Sequence, residues 1–183
     1  MKFGKETGKT VEWDLFGAVE NSIEYREWLK MKSKPIERAA IRIVKENQPK
    51  DTDPEDPKPK FPNDLQFAVF NALENDNVRV RFYTAVGSSF DYHRDYGGDG
   101  FIEIEENGGE PIMITLDVKT HEEDTKSNVL IVYPAEGLDP EDLEDKIKWD
   151  ELIAKTTRDV IMTFKIKKVT KQKQAERRTA YAA

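Results

Sequence analysis

The chain contains no cysteine. Disulfides, thiolate metal sites and cysteine nucleophiles are therefore excluded, a usage that fits a cytoplasmic or otherwise intracellular protein. No apolar run approaches the ~20 residues needed to span a bilayer, and the opening Met1-Lys2-Phe3-Gly4-Lys5-Glu6 has no signal-peptide core, so no membrane association is expected. A phosphate-binding loop and a glycine-rich dinucleotide fingerprint are also missing. Gly87-Ser88-Ser89 lacks the strand-turn-helix setting of a serine hydrolase. There is no internal repeat. The net charge of −7 argues against a protein that coats nucleic acid generically, though not against one with a local basic patch.

What remains is a polar but foldable chain of 183 residues, 37% hydrophobic and 36% charged, long enough for one sizeable domain with an added arm. Trp13, Phe16, Val19, Ile23, Trp28 and Leu29 recur at roughly helical spacing, and Ile36, Ala39, Ala40, Ile43 and Val44 form a second stripe. Ser33 and Pro35 suit the start of that second helix. Residues 1–47 are thus expected as a helical N-terminal arm. Residues 48–62 carry prolines at 49, 54, 57, 59 and 62, which predicts a linker. Residues 63–183 are expected as an α/β core with a basic C-terminal tail. Within it, Asn63 or Asp64 is placed to cap a helix carrying Leu65, Phe67, Phe70 and Leu73. Val78, Val80 and Phe82 alternate as a strand, and Val129-Leu130-Ile131-Val132 reads as a strand buried on both faces. Pro140 opens an acidic helix through Trp149, and 160–169 is read as a further strand. This order predicts a mixed central sheet flanked by helices.

The densest chemistry lies between Asp99 and Lys119. Asn107-Gly108-Gly109 sits between two runs of alternating apolar and polar residues, which predicts a β-hairpin. Folding about Gly108 sets Asp99 opposite Asp117, Phe101 opposite Thr115 and Glu103 opposite Met113. Ile102, Ile104, Ile112, Ile114, Leu116 and Val118 then share one face, and Asp99, Asp117 and Lys119 share the other. Directly opposed carboxylates would lie about 5 Å apart at Cβ. That spacing suits joint coordination of a hard cation such as Mg²⁺ or Mn²⁺, with Lys119 in reach of a phosphate or an attacking water. The plainer alternative is a solvated cluster in which Lys119 offsets both aspartates.

Gly97-Gly98-Asp99-Gly100-Phe101, followed by Leu116-Asp117-Val118-Lys119, resembles the PD-(D/E)xK nuclease superfamily, the restriction-endonuclease-like fold. The resemblance covers about residues 64–133. It implies Mg²⁺ (or Mn²⁺) held by Asp99 and Asp117, with Lys119 assisting phosphodiester hydrolysis. The implied partner is nucleic acid, DNA ahead of RNA, and a homodimer would supply two sites for cutting both strands. The acidic residue that such families often draw from the first core helix is not obvious; Asp64, Gln66 and Glu74 are the candidates at that helix. Asp91, His93 and His121 are further supporting candidates, although lone loop histidines are commonly just solvated. Arg79, Arg81, Lys165, Lys167, Lys168, Lys171 and Lys173 are candidate phosphate contacts, or a salt-bridged strand face and a solvated tail. The competing function is a non-catalytic nucleic-acid-binding or assembly protein on the same fold.

Overall fold

A computed structural model describes residues 8–50 and 52–182. Among the described residues, five helices and four strands follow in the order α1 (Gly8–Phe16), α2 (Tyr25–Lys30), α3 (Glu37–Glu46), α4 (Lys60–Ala72), β1 (Val78–Thr84), β2 (Gly100–Glu106), β3 (Ile112–Lys119), β4 (Val129–Val132) and α5 (Leu143–Ala182). The strands form one mixed α/β sheet in the order β1-β2-β3-β4. The first three make an antiparallel meander, and β4 pairs parallel to β3. Among the described residues no helix is long and apolar enough to cross a membrane.

The β2–β3 register is the one the alternation requires: Phe101 faces Thr115 and Glu103 faces Met113, and Gly100 pairs with Leu116. Asn107 and Gly108 take positive φ (54° and 67°), as a tight hairpin turn of right-twisted strands demands. Slippage by one residue would move Ile102, Ile104 and Ile114, all about fully buried, onto the opposite face.

That apolar face packs with β1 residues Val78, Val80 and Phe82 against Phe61, Leu65 and Val69 of α4 and Val160 and Phe164 of α5. The opposite face is not open to solvent. Phe101 and Tyr83 pack there with Ala40 and Val44 of α3 and with Phe90. Burying such aromatic and branched side chains contributes about 1.5–3 kcal/mol each.

Several sequence expectations change. The N-terminal segment is not held apart: Val11, Leu15 and Phe16 of α1 belong to the same core as the sheet. Residues 1–7 of the expected arm lie outside the described residues. The helical stripe breaks at Gly17 (φ 69°), which separates α1 from α2. The proline-rich stretch lies along β1, where the Phe82 amide donates to Pro54 O at 2.8 Å. Gln48 bridges Val44 O and the backbone of Thr84. This covers a strand edge that would otherwise present free amides. Helix α4 starts at Lys60 rather than at a cap on Asn63 or Asp64; Pro62 is tolerated because first-turn amides have no partner within the helix. Residues 160–169 are helical, not a strand. Val160 and Phe164, one turn apart, are buried, while Met162 and Ile166 between and beyond them are exposed. The segment is apolar enough to suggest a strand because a helical stripe coincides with apolar residues on the helix's outer face.

Candidate functional site

Three segments bring carboxylates together at the open end of the β2–β3 hairpin. Glu12 comes from α1, Asp91 from the loop after β1, and Asp99 immediately precedes β2; an oxygen of each lies within 4.8 Å of the others. Asp99 is 2% exposed and Glu12 8%. They line a cleft of about 700 Å³ with Asp117 and Lys119.

Close packing fixes the arrangement. A side chain at position 98 would meet Leu116 O at 2.8 Å and Ser127 Oγ at 2.6 Å. Glycine there lets the strand entering Asp99 press onto β3, where Asp99 Oδ2 accepts from the Val118 amide at 2.7 Å. Gly100 leaves room for the Phe16 ring, which would lie 3.1 Å from a Cβ at that position. Phe16 thereby seats α1 across the sheet end and carries Glu12 to the cleft.

Lys9, one turn before Glu12, donates to Asp91 Oδ2 at 2.5 Å and pairs with Glu12 at 3.3 Å. The Gly87 amide donates to the same Asp91 oxygen at 2.7 Å. On β3, Lys119 pairs with Asp117 Oδ1 at 3.0 Å, and Thr125 donates to Asp117 Oδ2 at 2.6 Å. Thr125 lies on the short segment 120–128 that returns the chain from β3 to β4. The threonine therefore ties that crossover to the site.

Burial pushes the Asp99 carboxyl well above the ordinary range, and the charges of Glu12, Asp91 and Asp117 push the same way. Burial also raises Glu12 and Asp91, with Lys9 opposing the rise in each. For Lys119, burial acts against the charge, but attraction to Asp117 and Asp99 outweighs it, so its pKa is raised. Lys9 is raised likewise, burial being overcome chiefly by Asp91. Four carboxylates thus face two firmly charged ammonium groups.

The other expected residues divide sharply. Asp64 accepts from Trp149 Nε1 at 2.8 Å and pairs with Lys60, on the side of α4 that meets α5. Gln66 donates to Val80 O, and Glu74 is exposed beyond the end of α4. None of the three enters the cleft. His93 lines the cleft and stacks on Tyr96 at 3.7 Å. His121 is exposed beside Glu123 at 3.4 Å. Arg79, Lys165 and Lys173 are exposed. Arg81 is held by Glu55 and Glu105, each at 3.0 Å. Lys167 donates to Met113 O and Asn128, Lys168 pairs with Glu106, and Lys171 with Glu110 at 2.6 Å. These α5 lysines therefore sit along the hairpin and at its turn, away from the acidic end.

Glu12 escapes a sequence reading that looks for the acid on the helix just before β1, because α1 lies far from Asp99 in the chain and reaches it only in the folded protein. The available signal was Lys9-Thr10-Val11-Glu12, a charged pair one turn apart on a helix whose other face, Val11 and Leu15, is apolar. No protein-family model, no curated protein and no solved structure matches the chain.

Proposed function

We propose that the protein is a metal-dependent nuclease that hydrolyses phosphodiester bonds of nucleic acid, on a restriction-endonuclease-like arrangement of its sheet. The observation that carries the reading is the convergence of Glu12, Asp91 and Asp99, from three separate segments, in one cleft. Burying mutually repelling carboxylates opposes folding, so a compensating cation is the natural counterpart. The donor set is all oxygen, which suits Mg²⁺ or Mn²⁺. A span of up to 4.8 Å matches two oxygens on opposite sides of an ion held at about 2.0–2.6 Å. The meander β1-β2-β3 with a parallel β4 supports the same reading.

Glu12, Asp91 and Asp99 would hold the ion. Bound there, it would offset charge on the phosphate in the transition state and lower the pKa of a water. Lys119 is kept protonated by Asp117. Its role is therefore that of a hydrogen-bond donor and positive charge beside the scissile phosphate, not that of a base. Asp117 and Thr125 orient Lys119, and Lys9 holds Asp91 in place. The proposed cofactor set thus moves from Asp99 and Asp117 to a triad with Asp117 adjoining.

The test combines Mn²⁺ titration calorimetry with cleavage of labelled single- and double-stranded DNA and RNA in Mg²⁺ or Mn²⁺. Wild type should bind Mn²⁺ and cleave. Glu12→Gln should lose the binding, and Lys119→Ala should bind the ion yet cleave on the order of 10²-fold more slowly. A wild-type protein without metal affinity, or cleavage unchanged by Glu12→Gln, refutes the proposal. Nucleic-acid binding without metal affinity would instead favour the non-catalytic alternative.

A further inference from the structure

The cleft has a second wall that the acidic cluster does not use. Tyr25, the first residue of α2, lies over Trp28 with ring centroids 6.0 Å apart and planes within 19°. Tyr92 meets Tyr25 at 5.4 Å and Trp28 at 6.1 Å. Trp28 is 4% exposed and forms the base of the group, whereas Tyr25 is 44% exposed. Tyr25, Tyr92 and His93 line the same cleft as Asp99 and Lys119. Aromatic side chains this close to a carboxylate cluster, with a ring left accessible, form a shelf for flat rings.

The distribution of cations narrows what that shelf would take. Lys9 and Lys119 are neutralised by Asp91 and Asp117. At the rim stand Arg94, which is exposed, and Lys126, 3.5 Å from Asp95. The lysines of α5 that pair with Glu106 and Glu110 lie toward the hairpin turn, about 20 Å away over a strand of this length. Duplex binding draws on many phosphate contacts, and the cleft offers few. Single strands instead present unpaired bases that stack on aromatic rings without regard to sequence.

Resting on the nuclease reading, we infer that the substrate is single-stranded nucleic acid, with a base beside the scissile phosphate stacked on the Tyr25–Tyr92 shelf. Trp28 supports the shelf from beneath, so little side-chain freedom is lost on binding.

The experiment measures fluorescence anisotropy of labelled dT10 and of a ten-base-pair hairpin duplex with Mg²⁺, in a Lys119→Ala background that retains every carboxylate. Single strand should bind more tightly than duplex. Its affinity should fall with salt at a log–log slope of about −1 to −2, since few phosphates are neutralised. Tyr25→Ala should weaken dT10 binding about 5- to 100-fold, while Tyr25→Phe keeps it. Should Tyr25→Ala fail to fold by circular dichroism, Tyr92→Leu carries the same expectation. Binding of dT10 within twofold of the parent in the folded variant, a duplex bound as tightly, or a slope steeper than about −4 would overturn the inference. The two proposals fail separately. Shelf-dependent binding without cleavage by wild type removes the nuclease alone, and Glu12-dependent cleavage indifferent to Tyr25 removes the shelf alone.

Discussion

Replacing Asp99 by asparagine should stabilise the metal-free protein while abolishing its response to metal. Asparagine preserves the shape and still accepts from the Val118 amide through its carbonyl oxygen, so that hydrogen bond survives the loss of charge. Two unit charges at the 4.8 Å limit of the cluster interact by about 3.5 kcal/mol at an effective dielectric of 20. Lys9 offsets part of this, leaving an expected gain of about 1–3 kcal/mol at a pH where Asp99 is ionised. For a chain of this size that is a rise in Tm of about 2–12 °C. The sign can be checked against pH. The folded-state pKa of Asp99 lies above its ordinary value of 3.8, so the folded protein retains a proton that the unfolded chain gives up. Wild-type stability from this group therefore falls as pH rises from about 4 through the folded value. The advantage of asparagine should be absent near pH 3 and grow as pH rises through the folded value. Thermal melts at several pH values, with and without Mn²⁺, provide the assay. At an ion concentration of 100 times Kd the wild type should gain about 2.7 kcal/mol, and Asp99→Asn should gain nothing. A variant that melts lower than wild type without metal at pH 7, or that Mn²⁺ stabilises equally, would refute the reasoning.

Gly98→Ala should cost about 1–3 kcal/mol in chemical denaturation, because its methyl would press on the Leu116 carbonyl at 2.8 Å; a neutral result would mean that β3 gives way. Lys9→Met should destabilise by about 1–3 kcal/mol, less than for a fully buried pair because Lys9 is partly exposed. The loss should shrink at acid pH, where Asp91 is protonated and needs no ammonium; a loss that grows on acidification would count against the pairing. Leu65→Ala, at a fully buried position on α4, should cost about 2–5 kcal/mol by urea titration.

The hairpin was legible because three local rules agree on one register. The Asn107-Gly108 turn, the alternation of isoleucines, and the placement of Asp99 opposite Asp117 are each satisfied by it, and a strand tolerates no intermediate register. The mixed sheet followed from the order of helices and strands along the chain. What the sequence concealed was tertiary. Nothing local marks Glu12 as a partner of Asp99, since that contact depends on Phe16 seating over Gly100. The strand expected over 160–169 failed because apolar residues on both faces of a helix produce alternation as readily as a strand does. Asp64 resembled a helix cap and a site acid, yet it serves the Trp149 indole.

The distance in sequence between the partners has a consequence for the life of the chain. Lys9 and Asp91 are 82 positions apart, and the cleft is finished only when Asp99, Asp117 and Thr125 have also taken their places. During synthesis from the N-terminus, α1 emerges long before the strands that it serves. A chain that ends before Thr125 cannot finish the cleft, so the proposed capacity to cut nucleic acid would arrive late in synthesis. An ion bridging Glu12 to Asp99 would then act as a clasp across the whole molecule, and loss of that ion would loosen first the helix that delivered Glu12.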